Sequence, residues 1–222
     1  MILGIDTSTA ATAAACWAPG GPAWEARDDP GPGQRPAHAT RLLALVEEAI
    51  AGAGSRWVDV ERIAVGLGPG GFTGLRHGIA TARALAQGRG LPLTGVSSLR
   101  ALAAGSLPSE RPVVAVIDAR RGEVFAAAWP EDEALLEPQA VAPDALAARV
   151  PAGALAVGDG AVRFRAVLER AGAHVPEDRS PAHRVSALQV CRLGAAGEIA
   201  DRDGLVPDYR REPDASPPSP RR

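Results

Sequence analysis

The chain alternates short apolar blocks with longer stretches of helical periodicity. Ile2–Asp6 and Thr12–Trp17 are apolar blocks separated by the polar turn Thr7–Ala11, which predicts a hairpin. Ala23–Arg27 reads as a third strand, and the Pro/Gly-rich stretch Asp28–Ala37 as a loop. Thr40–Ala53 carries apolar residues on more than one helical face, Leu42, Leu45, Val46 and Ala49 on one side and Leu43 and Ile50 on another. Strand Ile63–Leu67, the glycine loop Gly68–Gly74, helix Leu75–Gln87, strand Leu93–Val96 and a short helix Ser97–Ala104 follow. Val113–Asp118 and Glu123–Trp129 predict a second hairpin. Beyond it lie a helix near Pro143–Arg149, a strand at Ala154–Val157, a helix over Ala161–Ala171 and a last helix over Ser186–Asp201. Glu212–Arg222 is proline-rich and expected to be disordered.

The two hairpins superimpose without a gap. Ile5 meets Ile117, Asp6 meets Asp118, and Trp17 meets Trp129. A duplicated unit, each copy with an aspartate closing its first strand, accounts for this. The division it predicts is a first lobe over 1–104, joined by the C-terminal helix near 186–205, and a reduced second lobe over 105–185.

Composition then narrows the chemistry. The 222 residues include no lysine, so all 24 basic residues are arginine. That excludes a Walker-type phosphate loop and Schiff-base catalysis. Net charge is −2, so no global field favours nucleic acid or membrane. Cys16 and Cys191 show no metal-ligand spacing and read as buried thiols of a reducing compartment. The start, MILGIDTST, lacks a basic leader, and no apolar run is long enough to span a bilayer. A cytoplasmic protein is expected.

Gly66, Gly68 and Gly71 form a G-x-G-x-x-G between a strand and a helix. A dinucleotide site also needs an acidic residue about 20 positions on, yet Arg62–Ser109 contains no Asp or Glu. The loop remains a candidate anion or nucleotide cradle through Asp6, Gly68, Gly70, Gly71 and Thr73, or a tight turn whose glycines permit close packing. Along the next helix Gly74, Gly78, Ala82 and Ala86 repeat at four-residue spacing. Such a row lets another helix approach, which makes Leu42, Val46, Ala49, Gly74, Arg76, Gly78, Ala82 and Arg83 the candidate partner interface. Arg62, Arg76, Arg83, Arg89 and Arg100 give the acid-free stretch a local charge of +5. No aromatic residue follows Phe72 there, so base stacking lacks support, and pairing with acidic groups is favoured.

The string GPGGFTGLR, a small-residue helix and GVSSL, together with ILGIDTST, VIDARRGEVFAAAW and PDYRR, resembles the TsaB (YeaZ) family. The likeness runs from residue 2 to residue 211. It implies an α/β, actin-like (ASKHA) fold of two RNase H-like lobes with mixed sheets flanked by helices. It also implies a non-catalytic dimerisation subunit for making N6-threonylcarbamoyladenosine at position 37 of tRNA. Its implied partners are a TsaD-like catalytic paralogue, a TsaE-like ATPase and, through the complex, tRNA, with no membrane. The contact is implied to use the helices matching Thr40–Ala53 and Leu75–Gln87, and homodimers are implied to use the same face. No cofactor is implied for the chain alone; ATP and Mg²⁺ are implied at most for the joint complex. Gly71 stands where many members have Ser, His77 where an apolar residue is usual, and Arg210 where a Leu is usual.

Catalysis by the chain itself is the competing reading. Asp6 and Asp118 are placed as an actin-like nucleotide hydrolase would need them, but the first hairpin lacks the glycine that follows the aspartate in phosphate loops. Each aspartate serves equally to close its own turn. The paralogue's H-x-x-x-H pair is half missing, with His38 followed by Leu42, so no catalytic metal is expected, and His38 reads as a surface or interface histidine. Gly95–Leu99 begins like a nucleophile elbow but ends in leucine where that turn needs glycine; Ser97 and Ser98 read better as helix caps.

Overall fold

The computed structural model describes residues 1–31, 33–130, 133–201 and 204–211. The predicted tail over 212–222 lies outside them. Strands β1 (Ile2–Asp6), β2 (Thr12–Trp17), β3 (Ala23–Asp28), β4 (Arg62–Gly68) and β5 (Leu93–Ser97) make one sheet, ordered β3-β2-β1-β4-β5. Its first three strands are an antiparallel meander, and β4 and β5 add in parallel. A second sheet, ordered β8-β7-β6-β9, contains β6 (Val113–Arg120), β7 (Glu123–Trp129), β8 (Leu136–Val141) and β9 (Leu155–Val157). It repeats the plan: β6 pairs antiparallel with β7 and parallel with β9. Trp17 ends opposite Ile2, and Trp129 ends opposite Val113. The two hairpins share a plan but not a register: Asp6 pairs with Ala13, whereas Asp118 pairs with Val124, one residue short of the equivalent position, and β6 runs two residues past Asp118 to Arg120. This is the α/β, actin-like architecture of two related sheets flanked by helices.

Helices α1 (His38–Gly52) and α2 (Phe72–Arg89) cover one face of the first sheet. They close a core with Leu3, Ile5, Ile63 and Val65. The opposite face is lined with Gly4, Ala13, Ala15 and Ala64, and α7 (Ala187–Ala196) packs on it. A side chain on Gly4 would overlap the Ala187 carbonyl oxygen, and one on Gly194 would overlap Ala64. The alanine and glycine content thus acts as short-range packing, bringing helix and sheet backbones closer than large side chains allow. Helix α3 (Ser98–Ala104) joins the halves. Leu99 and Leu102 share a buried cluster with Val96 of the first sheet and with Val113, Ile117 and Phe125 of the second.

Several boundaries differ from the sequence reading. Helix α2 starts three residues earlier, because Gly71 takes the extended N-cap conformation and Phe72 is already helical. The helix expected over Ala161–Ala171 is two short ones, α5 (Asp159–Arg163) and α6 (Arg165–Arg170), broken at Phe164. The helix near Pro143–Arg149 is the shorter α4 (Pro143–Ala147). The last helix ends at Ala196, where Gly197 leaves helical geometry. Strand β8 was not expected; Pro138 within it masks a strand signal, and an edge position is where a strand tolerates proline. No helix among the described residues is long and apolar enough to cross a membrane.

Candidate functional site

Asp6 closes β1 and is 1% exposed. The Ser8 N–H and hydroxyl donate to its Oδ1 at 2.9 and 2.7 Å, and the Ser98 hydroxyl donates to its Oδ2 at 2.7 Å. The Gly68 N–H in turn donates to Ser98 Oγ at 3.2 Å. Burial pushes the Asp6 carboxyl above its ordinary range, while the Ser8 and Ser98 hydrogen bonds pull the other way. The glycine loop is fitted to this turn. The Gly71 N–H donates to the Ser8 carbonyl at 2.7 Å. A side chain on Gly66 would overlap Asp6, and one on Gly70 would overlap the Ser8 carbonyl oxygen. Of the candidate cradle, Asp6, Gly70 and Gly71 are therefore engaged with the β1–β2 turn, and Gly68 is tied to it through Ser98. Thr73 is exposed, and its carbonyl accepts from His77 Nδ1 at 2.8 Å. With both carboxylate oxygens occupied and the residue 1% exposed, Asp6 does not fit a direct Mg²⁺ ligand.

Asp118 sits differently. Its Oδ1 accepts the Arg120 N–H, and its Oδ2 faces Arg163 at 2.7 Å and Arg120 at 3.2 Å. Its own N–H donates to Asp159 Oδ1, a carboxyl that burial raises. The turn beyond it holds Arg120, Arg121 and Gly122 at φ of 65°, 51° and 82°. Arg121–Gly122 form the two-residue connection, with Arg120 at a register shift.

The row Gly74, Gly78, Ala82 and Ala86 faces inward and is buried. Thr7 Oγ1 donates to the Gly74 carbonyl at 2.7 Å, and a side chain on Gly74 or Gly78 would overlap Thr7. Leu42, Val46, Ala49 and Ala82 are likewise inside the first core, each 2% exposed or less. This corrects the assignment of Leu42, Val46, Ala49, Gly74, Gly78 and Ala82 to a partner surface. The small residues admit the chain's own β1–β2 turn. The exposed residues of α1 and α2 include instead Leu43, Glu47, His77, Ala80 and Ala84, with Leu43 58% exposed.

His38 also turns inward. Its Nδ1 lies 2.8 Å from Thr12 Oγ1, and burial, then the nearby His77, lower its pKa. This corrects the expectation of a surface or interface histidine. The serines match the cap reading in one case: Ser97 caps α3 through the Arg100 N–H, whereas Ser98 is spent on Asp6.

The arginines of the acid-free stretch are mostly drawn onto the chain itself. Arg62 caps the carbonyls of Gly194, Ala195 and Gly197. Arg83 donates to the Leu205 carbonyl, and Arg89 and Arg100 lie over Trp57 and Trp129. Arg76 lies 3.8 Å over the Phe72 ring and donates to Tyr209 Oη. Tyr209 stacks on Phe72 with centroids 5.4 Å apart. Nothing local in the sequence links Tyr209 to Phe72, so this cluster was missed.

A family model described as TsaD, tRNA N6-adenosine threonylcarbamoyltransferase, matches residues 34–147. The Escherichia coli tRNA threonylcarbamoyladenosine biosynthesis protein TsaB is 40% identical over 134 residues, 60% of this chain. That match spans 56% of the E. coli protein, somewhat over half its length. The Bacillus subtilis protein of the same name is 29% identical over 184 residues, 78% of this chain and 80% of its own. The solved structure of YeaZ from Pseudomonas aeruginosa aligns with a TM-score of 0.75 at 28% identity, covering 93% of this chain and 98% of that one. The duplicated hairpins, the glycine loop closed on Asp6 and these matches agree, and the chain belongs to the TsaB (YeaZ) family.

Proposed function

We propose that this chain is a non-catalytic docking subunit in the synthesis of threonylcarbamoyladenosine in tRNA. It offers the outer face of α1 and α2 to a TsaD-like catalytic paralogue, with a TsaE-like ATPase joining the pair. The observation that carries this reading is that face itself. Leu43 on α1 is a large apolar side chain left mostly in water, and α2, which contacts α1, exposes Ala80 and Ala84, whose small side chains let another helix come close. Glu47 and His77 on the same two helices are exposed polar groups. The groups a catalyst would need are committed elsewhere: Asp6 to Ser8 and Ser98, Asp118 to two arginines, and His38 to Thr12. The same face would serve a homodimer when the paralogue is absent.

Reconstitution tests the role. The TsaD-like paralogue, the TsaE-like ATPase and this chain are assayed for threonylcarbamoyl transfer to tRNA, and each is then omitted. Activity should need this chain and should survive Asp118→Asn within it. The chain alone is also titrated with ATP and Mg²⁺; turnover that Asp6→Asn or Asp118→Asn abolishes would replace the docking role with the hydrolase reading.

A further inference from the structure

The segment Leu205–Arg211 brings together what the sequence holds far apart. Tyr209 lays its ring on Phe72 beside Arg76. Two residues on, Arg211 donates to the carbonyl of Ala119, next to Arg120 in the β6–β7 turn. Arg120 and Arg163 flank Asp118 from either side. The result is a continuous band that begins in two half-exposed aromatic rings and ends in an arginine turn.

Three physical features set this band apart. Its aromatic end is 47% and 48% exposed at Phe72 and Tyr209, although a tyrosine in a packing role alone would be covered. At its arginine end Arg120 and Arg163, 69% and 47% exposed, share the Asp118 carboxylate, with Asp159 and Glu123 as the neighbouring acids. Arg121, also exposed, adds a further positive charge. Finally, Arg120 and Arg121 both occupy the left-handed region. Hairpin turns of this kind ordinarily place Asn, Asp or Gly there, and a long side chain is strained at such a position. The fold accepts that conformation and leaves both residues exposed, with the Arg120 guanidinium reaching back to Asp118.

We infer that this band binds single-stranded RNA directly, with Tyr209 as a stacking platform and Arg76, Arg120, Arg121 and Arg163 along the phosphates. Aromatic faces stack any base, and cations that follow a backbone supply affinity without sequence preference. The sequence-level objection to RNA was the lack of an aromatic partner in the arginine-rich stretch, and the fold supplies it from residue 209. For the identity of the nucleic acid as RNA this inference rests on the proposed function; the band of rings and cations does not.

The test is fluorescence anisotropy of the full chain with a labelled oligouridylate and with a tRNA anticodon stem-loop, across a salt series. The wild type should bind both, with an affinity that falls steeply as salt rises. Arg121→Glu should weaken binding on the order of tenfold and reduce the salt slope by about one. Tyr209→Ala should weaken binding by a similar factor, and Tyr209→Phe should restore it. Arg121→Gly separates a binding role from a structural one: relief of the left-handed strain should make the protein more stable while RNA affinity drops. The same variants are checked for capture of the TsaD-like paralogue. Salt-independent or absent RNA binding by the wild type overturns the inference, even if the paralogue is captured. So does an Arg121→Glu chain that keeps RNA but loses the paralogue, because the band is then a protein contact. RNA binding without paralogue capture supports the inference and removes the docking role instead.

Discussion

Asp6 is a carboxylate whose two oxygens are held by three donors in a buried site. Because burial dominates, its folded pKa stands above the ordinary 3.8. The folded chain then holds a proton more tightly than the unfolded chain, so this group adds stability as pH falls through the window between its folded value and 3.8. Asp6→Asn removes that dependence. Urea unfolding of both proteins should show wild type gaining on the variant as pH is lowered toward 3.8, and a pH-independent difference would mean that Asp6 is not held in this way. Ser98→Ala deletes a hydroxyl shared by Asp6 and the Gly68 N–H and should cost about 1–3 kcal/mol in the same measurement. At this scale the sequence showed which residues mattered but not their partners. That an aspartate closes the first strand was legible from its position. That Ser98 reaches it was not, because the pairing depends on β5 lying two strands from β1.

At the scale of elements, α2 shows how a correct pattern received the wrong partner. The four-residue spacing of Gly74, Gly78, Ala82 and Ala86 does mark a close backbone approach, yet the backbone that approaches is the Thr7–Ser8 turn of the same chain. Periodicity specifies a face but not what covers it. Two substitutions two residues apart, on opposite sides of the helix, separate the faces. Gly78→Arg points into Thr7 and should leave little folded protein, read as lost soluble yield and a lowered Tm. Ala80→Arg points outward; it should leave Tm within a degree or two and abolish co-purification with the TsaD-like paralogue, as should Leu43→Arg. If Ala80→Arg and Leu43→Arg both still capture the paralogue, docking lies on another surface. The hairpins, by contrast, were legible as elements. Their two Asp and two Trp sit at one sequence offset, but the second hairpin pairs one residue out of step and continues past Asp118 to Arg120, a shift that side-chain alternation does not reveal.

At the scale of the whole molecule, the two sheets meet in two places of unlike character. On one side they share a buried apolar cluster around Leu99, Leu102, Val113 and Phe125. On the other they are tied by the segment Leu205–Arg211. Leu205 is anchored in the first core, the Asp208 N–H donates to the Leu67 carbonyl at 2.8 Å, and Tyr209 stacks on Phe72. Arg210 and Arg211 then donate to the Pro138 and Ala119 carbonyls of the second sheet. An apolar cluster resists separation but is weakly directional, whereas hydrogen bonds across a gap fix an angle. The segment thus bridges the two sheets, and the expectation is that it restrains their relative angle in addition to the shared cluster. Cutting the chain after Val206 keeps Leu205 in place and removes the tie. Hydrogen exchange should then quicken together at Gly68–Gly71 and at Asp118–Glu123, while the amides of Ile63 and Val114, inside their sheets, keep their protection. Arg211→Ala should quicken the second segment and leave the first near wild type, since Tyr209 still holds Phe72. Faster exchange at the first segment alone after truncation would show that Arg210 and Arg211 do not couple the lobes and that the cluster alone fixes their angle.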